Sequence, residues 1–167
     1  MHLARLATTV NNMGGLFMNA NTYWILVANS SEAKIFSAEK ITQEWKLLKE
    51  FSHPESREKD TEIVADKFGS YPNIGTSGSS SYTEATDPQE TEIENFARQL
   101  AHELNHGRTQ NLFHKLVLVA PPRFHGMLNK HCDPHVLNLV INRLEKNYTQ
   151  LKEHELIPRI QEQLKEF

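Results

Sequence analysis

Two unbroken apolar runs constrain this chain more than any other feature. One is Trp24-Ile25-Leu26-Val27-Ala28; the other is Leu116-Val117-Leu118-Val119-Ala120, which closes a segment beginning at Phe113. A strand with one wet face alternates apolar and polar side chains, whereas these runs leave no side for water. Each reads as a strand covered on both faces. A sheet built on such strands needs helices packed against it, which places the chain among layered α/β proteins.

The remaining segments supply the other parts. Asn29-Ser30-Ser31-Glu32 is a turn, and residues 33–38 return as the second strand of a hairpin. Trp45, Leu47 and Lys49 alternate with Lys46, Leu48 and Glu50, predicting a third strand with one wet side. Asp87-Pro88-Gln89-Glu90 starts a helix, with an aspartate cap, proline at the first helical position and glutamate three residues after the cap. That helix is expected to run to Gly107, since glycine suits the left-handed position after a helix end. Pro121-Pro122 ends the second apolar run and a helix is expected over 123–130. Asp133-Pro134 repeats the cap-and-proline start for a short helix, and a strand is expected within 140–148. A last helix has Ile157, Ile160 and Leu164 in register, with Pro158 restarting or kinking it. The order β-β-β-loop-α-β-α-β-α predicts a single α/β domain, a mixed β-sheet with flanking helices.

That domain is expected over 22–167, because residues 1–21 hold no long unbroken apolar run and a second methionine, Met18, stands just before the first strand; they read as a disordered tail or a start site placed too early. Residues 52–86 form a long segment without periodicity. A loop of that length inside a compact domain is expected to be functional. Cys132 is the only cysteine, which excludes a disulfide framework and fits a reducing compartment. With no apolar run of membrane-spanning length, no membrane insertion is expected and the protein reads as cytoplasmic. The net charge of −3 gives no global attraction to nucleic acid, so such contact would need a local basic patch.

His102-Glu103-Leu104-Asn105-His106 fits H-E-x-x-H, the zinc-protease pattern. At 100° per residue, Ile93, Phe96, Ala97, Leu100 and Leu104 share one apolar stripe, and both histidines fall on the opposite side. A catalytic zinc needs a shielded pocket and a third protein ligand. The longer form of the motif requires glycine and histidine where this chain has Thr109 and Leu112. No zinc protease is expected. Neither a metal nor a cofactor is expected, and no catalytic residue is assigned.

The candidate ligand- or anion-binding residues lie elsewhere. His53, Arg57, Lys59, Asp60, Asp66 and Lys67 open the long loop, and Arg123 and His125 follow the second apolar run. In open α/β sheets ligands gather at the carboxyl ends of strands, and an arginine at the next helix start is well placed for an anion.

"WILVANSSEAKIF", "HPESREKDTEIVADK", "ETEIENFARQLAHEL" and "LFHKLVLVAPPRFHGML" together resemble the bacterial host attachment proteins, the family of proteins required for attachment to host cells. The resemblance spans about residues 22–164. That family is similar to the middle domain of archaeal and eukaryotic class-one peptide-chain release factors, which implies a ribonuclease-H-like mixed sheet. Release factors carry Gly-Gly-Gln in the loop before the first long helix. Here that place holds Gly75-Thr76-Ser77-Gly78, without the tripeptide. The resemblance implies a binding or regulatory protein with an unidentified protein partner. The alternative it implies is a ribosome- or tRNA-binding factor meeting phosphates through Arg57, Lys59, Lys67 and Arg123.

Overall fold

The structure, a computed structural model, describes residues 21–54, 56 and 87–165. Residues 1–20 of the tail expected over 1–21, and the loop residues 57–86, lie outside the described part. Five strands, β1 (Tyr23–Ala28), β2 (Glu32–Ala38), β3 (Lys46–Ser52), β4 (Lys115–Val119) and β5 (Val140–Leu144), form one sheet in the order β3-β2-β1-β4-β5. β1 pairs antiparallel with β2, and β2 with β3, while β1–β4 and β4–β5 are parallel. The sheet is mixed, and β1, β3, β4 and β5 all point the same way. The helices are α1 (Pro88–Thr109), α2 (Pro122–His131), the short α3 (Pro134–Leu137) and α4 (Glu153–Leu164).

Side chains alternate across a strand, so each apolar run serves two cores. Trp24, Leu26, Leu116 and Leu118 pack with Phe96, Leu100 and Leu104 of α1 and with Phe124 and Leu128 of α2. Ile25, Val27, Val117 and Val119 pack on the other face with Trp45, Leu144 and the α4 residues Leu156 and Ile160. The result is a three-layer α/β domain. The predicted stripe of α1 is the buried one, and Asp87 and Asp133 both cap their helices, accepting from the backbone N–H groups of Gln89 and His135.

Three local expectations are corrected and one, the third below, is narrowed. First, α1 does not stop at Gly107; it passes through to Thr109, and the residue in the left-handed region is Asn111, at φ 55°. Gly107 is glycine for another reason. A Cβ there would stand 2.4 Å and 2.5 Å from two ring atoms of Trp24. That ring is buried and stacks on Phe113 at 4.7 Å between centroids, so it has nowhere to go.

Second, β3 does not keep its alternation. Ile35 pairs with Lys49 and Phe36 with Leu47, leaving Leu48 as the extra residue of a bulge. Leu47 therefore joins the α4-side core and Leu48 the α1-side core. Third, the strand expected within 140–148 is present as β5 and ends at Leu144, whose carbonyl accepts from the Ala120 amide. Fourth, α4 buries Leu156 and Ile160, with Ile157 and Leu164 only half-buried. Pro158 neither breaks nor restarts it. The amide hydrogen bond Pro158 forgoes, toward the carbonyl of His154, belongs to an exposed stretch where water can replace it.

Two outcomes follow from this packing. Gly107→Ala gains about 1 kcal/mol of helix propensity but overpacks the Trp24–Phe113 stack, and urea denaturation is expected to show a net loss of about 1–3 kcal/mol. Cys132 is buried, and burial pushes its thiol up to about 11. Its alkylation by iodoacetamide in the folded protein is expected to be negligible at pH 8 and to become fast only after denaturation, since the thiolate is the nucleophile.

Candidate functional site

Because four strands run the same way, their carboxyl ends meet along one edge of the sheet. α1 and α2 both begin there. Asn29 organises this edge. Its Oδ1 accepts from the amides of Ser31 at 2.8 Å and Glu32 at 2.7 Å, closing the turn between β1 and β2. Its Nδ2 donates to Thr149 Oγ1 at 2.7 Å, which pins the segment after β5 against the same turn. Asn29 and Thr149 are both buried. As a sequence letter Asn29 signals only a turn; nothing in the sequence links it to Thr149.

An open cleft of about 210 Å³ lies between the starts of α1 and α2. Ile93, Pro121, Phe124 and Met127 make its floor, and Ser30, Gln89 and Arg123 its rim. The prolines set its shape: Pro121 stops β4, and Pro122, in the first turn of α2, sends the chain down across the sheet.

Arg123 stands at the rim with Nη2 3.2 Å from Glu90 Oε1, both side chains at least half exposed. His53, just past β3, donates from Nε2 to Glu92 Oε2 at 3.0 Å, and its ring stacks on Phe96 with centroids 5.5 Å apart. The His53 amide donates to the Ser31 carbonyl at 2.7 Å, so this residue belongs to the same edge as the Asn29 turn. His125 is buried and turned toward β5, donating from Nε2 to the Leu144 carbonyl at 3.0 Å. Three of the eight sequence candidates thus reach one edge, but of these Arg123 alone lines the cleft, and neither His53 nor His125 does. Arg57, Lys59, Asp60, Asp66 and Lys67 lie outside the described residues.

Four glutamates of α1 lie on the two flanks of its buried stripe, an arrangement that sequence reasoning missed. Glu90 meets Arg123 of α2, Glu92 meets His53 after β3, and Glu103 meets Lys49 of β3. Glu94 accepts from both Lys130 and His131 of α2, each at 2.8 Å. These hydrogen bonds, Lys130 first, hold the Glu94 carboxyl below its ordinary range. Asp133 is held down in the same sense by the backbone N–H of His135. His102 and His106 are exposed, opposite the buried stripe, and Glu103 between them is engaged by Lys49. Among the described residues no group of three or more His, Cys, Asp or Glu side chains could hold a metal ion. No helix among them is long and apolar enough to cross a membrane.

Fold and edge together define a three-layer α/β domain with a small cleft over parallel strand ends. The chain belongs to the family described as protein required for attachment to host cells, whose family model matches residues 24–160. Among solved structures it is similar to that of an archaeal translation termination factor, at TM-score 0.45 and 12% identity, over 89% of this chain and 40% of that one. A second, described as an archaeal protein, gives TM-score 0.44 and 10% identity, over 96% of this chain and 42% of the other. The chain thus spans less than half the length of these two proteins. A search of curated proteins returns no match.

The Asn29 linkage gives a direct stability test. Asn29→Ala leaves two part-buried amides without their acceptor and takes from the Thr149 hydroxyl one of its two partners, and chemical denaturation is expected to show a loss of about 1–3 kcal/mol. Asn29→Asp keeps the acceptor for the two amides and gives up only the donor to Thr149, so its loss is expected to be smaller.

Proposed function

We propose that this host-attachment-family protein acts by non-covalent binding in the cytoplasm. It would influence attachment to host cells by receiving a protein partner at the cleft between the starts of α1 and α2. The observation that carries this reading is the construction of the cleft, an apolar floor under a polar rim, held between two helix starts and the rigid Asn29 turn. At about 210 Å³ it is smaller than the roughly 300–1,000 Å³ of small-molecule sites. It fits one anchoring side chain of a larger partner, the way interfaces concentrate their energy. The exposed Arg123–Glu90 pair is worth only about 0–1 kcal/mol, so a partner's carboxylate can take the place of Glu90 at little cost.

The second reading is a ribosome- or tRNA-binding factor. It is favoured by the chain position of Arg57, Lys59 and Lys67, which follow Ser56 and the edge that carries Arg123. Counterion release would make such binding fall steeply with salt.

Two measurements separate these readings. In cells deprived of their own copy, Ser30→Trp, which fills the cleft rim from a half-buried position in the β1–β2 turn, is expected not to restore attachment although circular dichroism shows it folded. Full restoration would remove the cleft from consideration. In sucrose gradients of lysate, the protein is expected to stay away from ribosomes at low and moderate salt. Salt-sensitive comigration abolished by Arg57→Ala/Arg123→Ala would establish the second reading instead.

A further inference from the structure

The H-E-x-x-H segment sets its two imidazoles on the solvent face of α1, outside the shielded pocket that a catalytic zinc needs. His102 and His106 are both exposed, one helical turn apart near the end of α1. Helical side chains four apart lie on one face with Cβ atoms about 5–6 Å from each other and lean the same way along the axis. Two imidazoles so placed can reach one metal ion, as the i, i+4 histidines of zinc enzymes do.

The other described histidines are not so paired; His114, just before β4, is half-buried with its Nδ1 enclosed, and no histidine stands four residues from it. The rings of His53 and His131 are bonded to Glu92 and Glu94, that of His135 to Asp133, and that of His125 to the Leu144 carbonyl. His131 and His135 also stand four apart, but across the break between α2 and α3 and each on its own carboxylate. His154 has Pro158 four residues on. Neither ring of the α1 pair has a hydrogen-bond partner among the described residues.

We propose that His102 and His106 form a two-imidazole chelate on the solvent face of α1 that takes an exchangeable divalent transition cation, Zn²⁺, Ni²⁺ or Cu²⁺. Imidazole selects this class over Mg²⁺ and Ca²⁺, which prefer oxygen. The site differs in kind from a catalytic zinc centre. With two protein ligands, water completes the coordination and the ion remains labile.

The electrostatic setting is favourable on balance. His106 lies in the last turn of α1, where the negative end of the helix dipole attracts a cation. Arg98, one turn before His102, is the nearby positive charge on this face. Its guanidinium is drawn away, to Asn95 at 3.3 Å and Glu94 at 3.9 Å. Glu103 is turned to Lys49 and Arg108 to Asn105, so neither blocks the pair.

The test is isothermal titration of the untagged full chain with Ni²⁺ at pH 7.5. One ion is expected to bind, and His102→Asn or His106→Asn alone is expected to weaken it on the order of 10²-fold, because the second ligand acts at high effective concentration. Both positions are exposed, so the variants are expected to keep the wild-type circular dichroism spectrum. Arg98→His added to His106→Asn rebuilds an i, i+4 pair one turn earlier and is expected to recover binding. Absence of Ni²⁺ binding, affinity unchanged in both single variants, or failure of the rebuilt pair to bind would each overturn the proposal.

Discussion

The parallel pairing of β1 with β4 is the constraint on which the rest of the structure depends. Ile25, Val27, Leu116, Val117 and Val119 are fully shielded from water. Burial on that scale is favourable only if apolar cover arrives on both faces of the sheet. One face receives α1, α2 and α3, and the other receives α4. The cover must also come close. Where α1 crosses Trp24 there is no room for a single Cβ, which is why a residue that weakens helices stands at position 107 inside one.

The same pairing creates the carboxyl edge that holds the cleft. Once β4 runs parallel to β1, the helix before it has to start at the carboxyl end of β1 and the helix after it at the carboxyl end of β4. Two helix starts and the β1–β2 turn then converge without any residue having been placed there for a ligand. The glutamates of α1 join that helix to α2 on one flank and to β3 and His53 on the other. These pairs are mostly exposed, so they orient the elements more than they stabilise them. The cleft opens beside the most exposed of them, Arg123–Glu90.

The legible parts of the fold are those whose causes act within a few residues. The Asp87 and Asp133 caps, the α1 stripe and the two apolar runs each carry their own explanation in a short window, and all are present in the structure. Misread positions share the opposite property. Gly107 answers to Trp24, the bulge at Leu48 answers to β2, and the buried side of α4 is chosen by the sheet beneath it. Of the site, the sequence pointed to Arg123 and His53 by their place after strands. It gave no sign of the Asn29–Thr149 bond, the partner of each α1 glutamate, or the turn of His125 toward β5.

By itself, then, the sequence determined that the chain forms a covered α/β sheet, where most of its elements begin, and that His102 and His106 face away from the core. Hydrophobic periodicity and capping are local, and they survive without knowledge of neighbours. Only the tertiary structure decided which polar groups meet at the carboxyl edge and which are consumed by internal partners. Those pairings join residues far apart in the chain, and their geometry exists only once the sheet has set the distances between the elements that carry them.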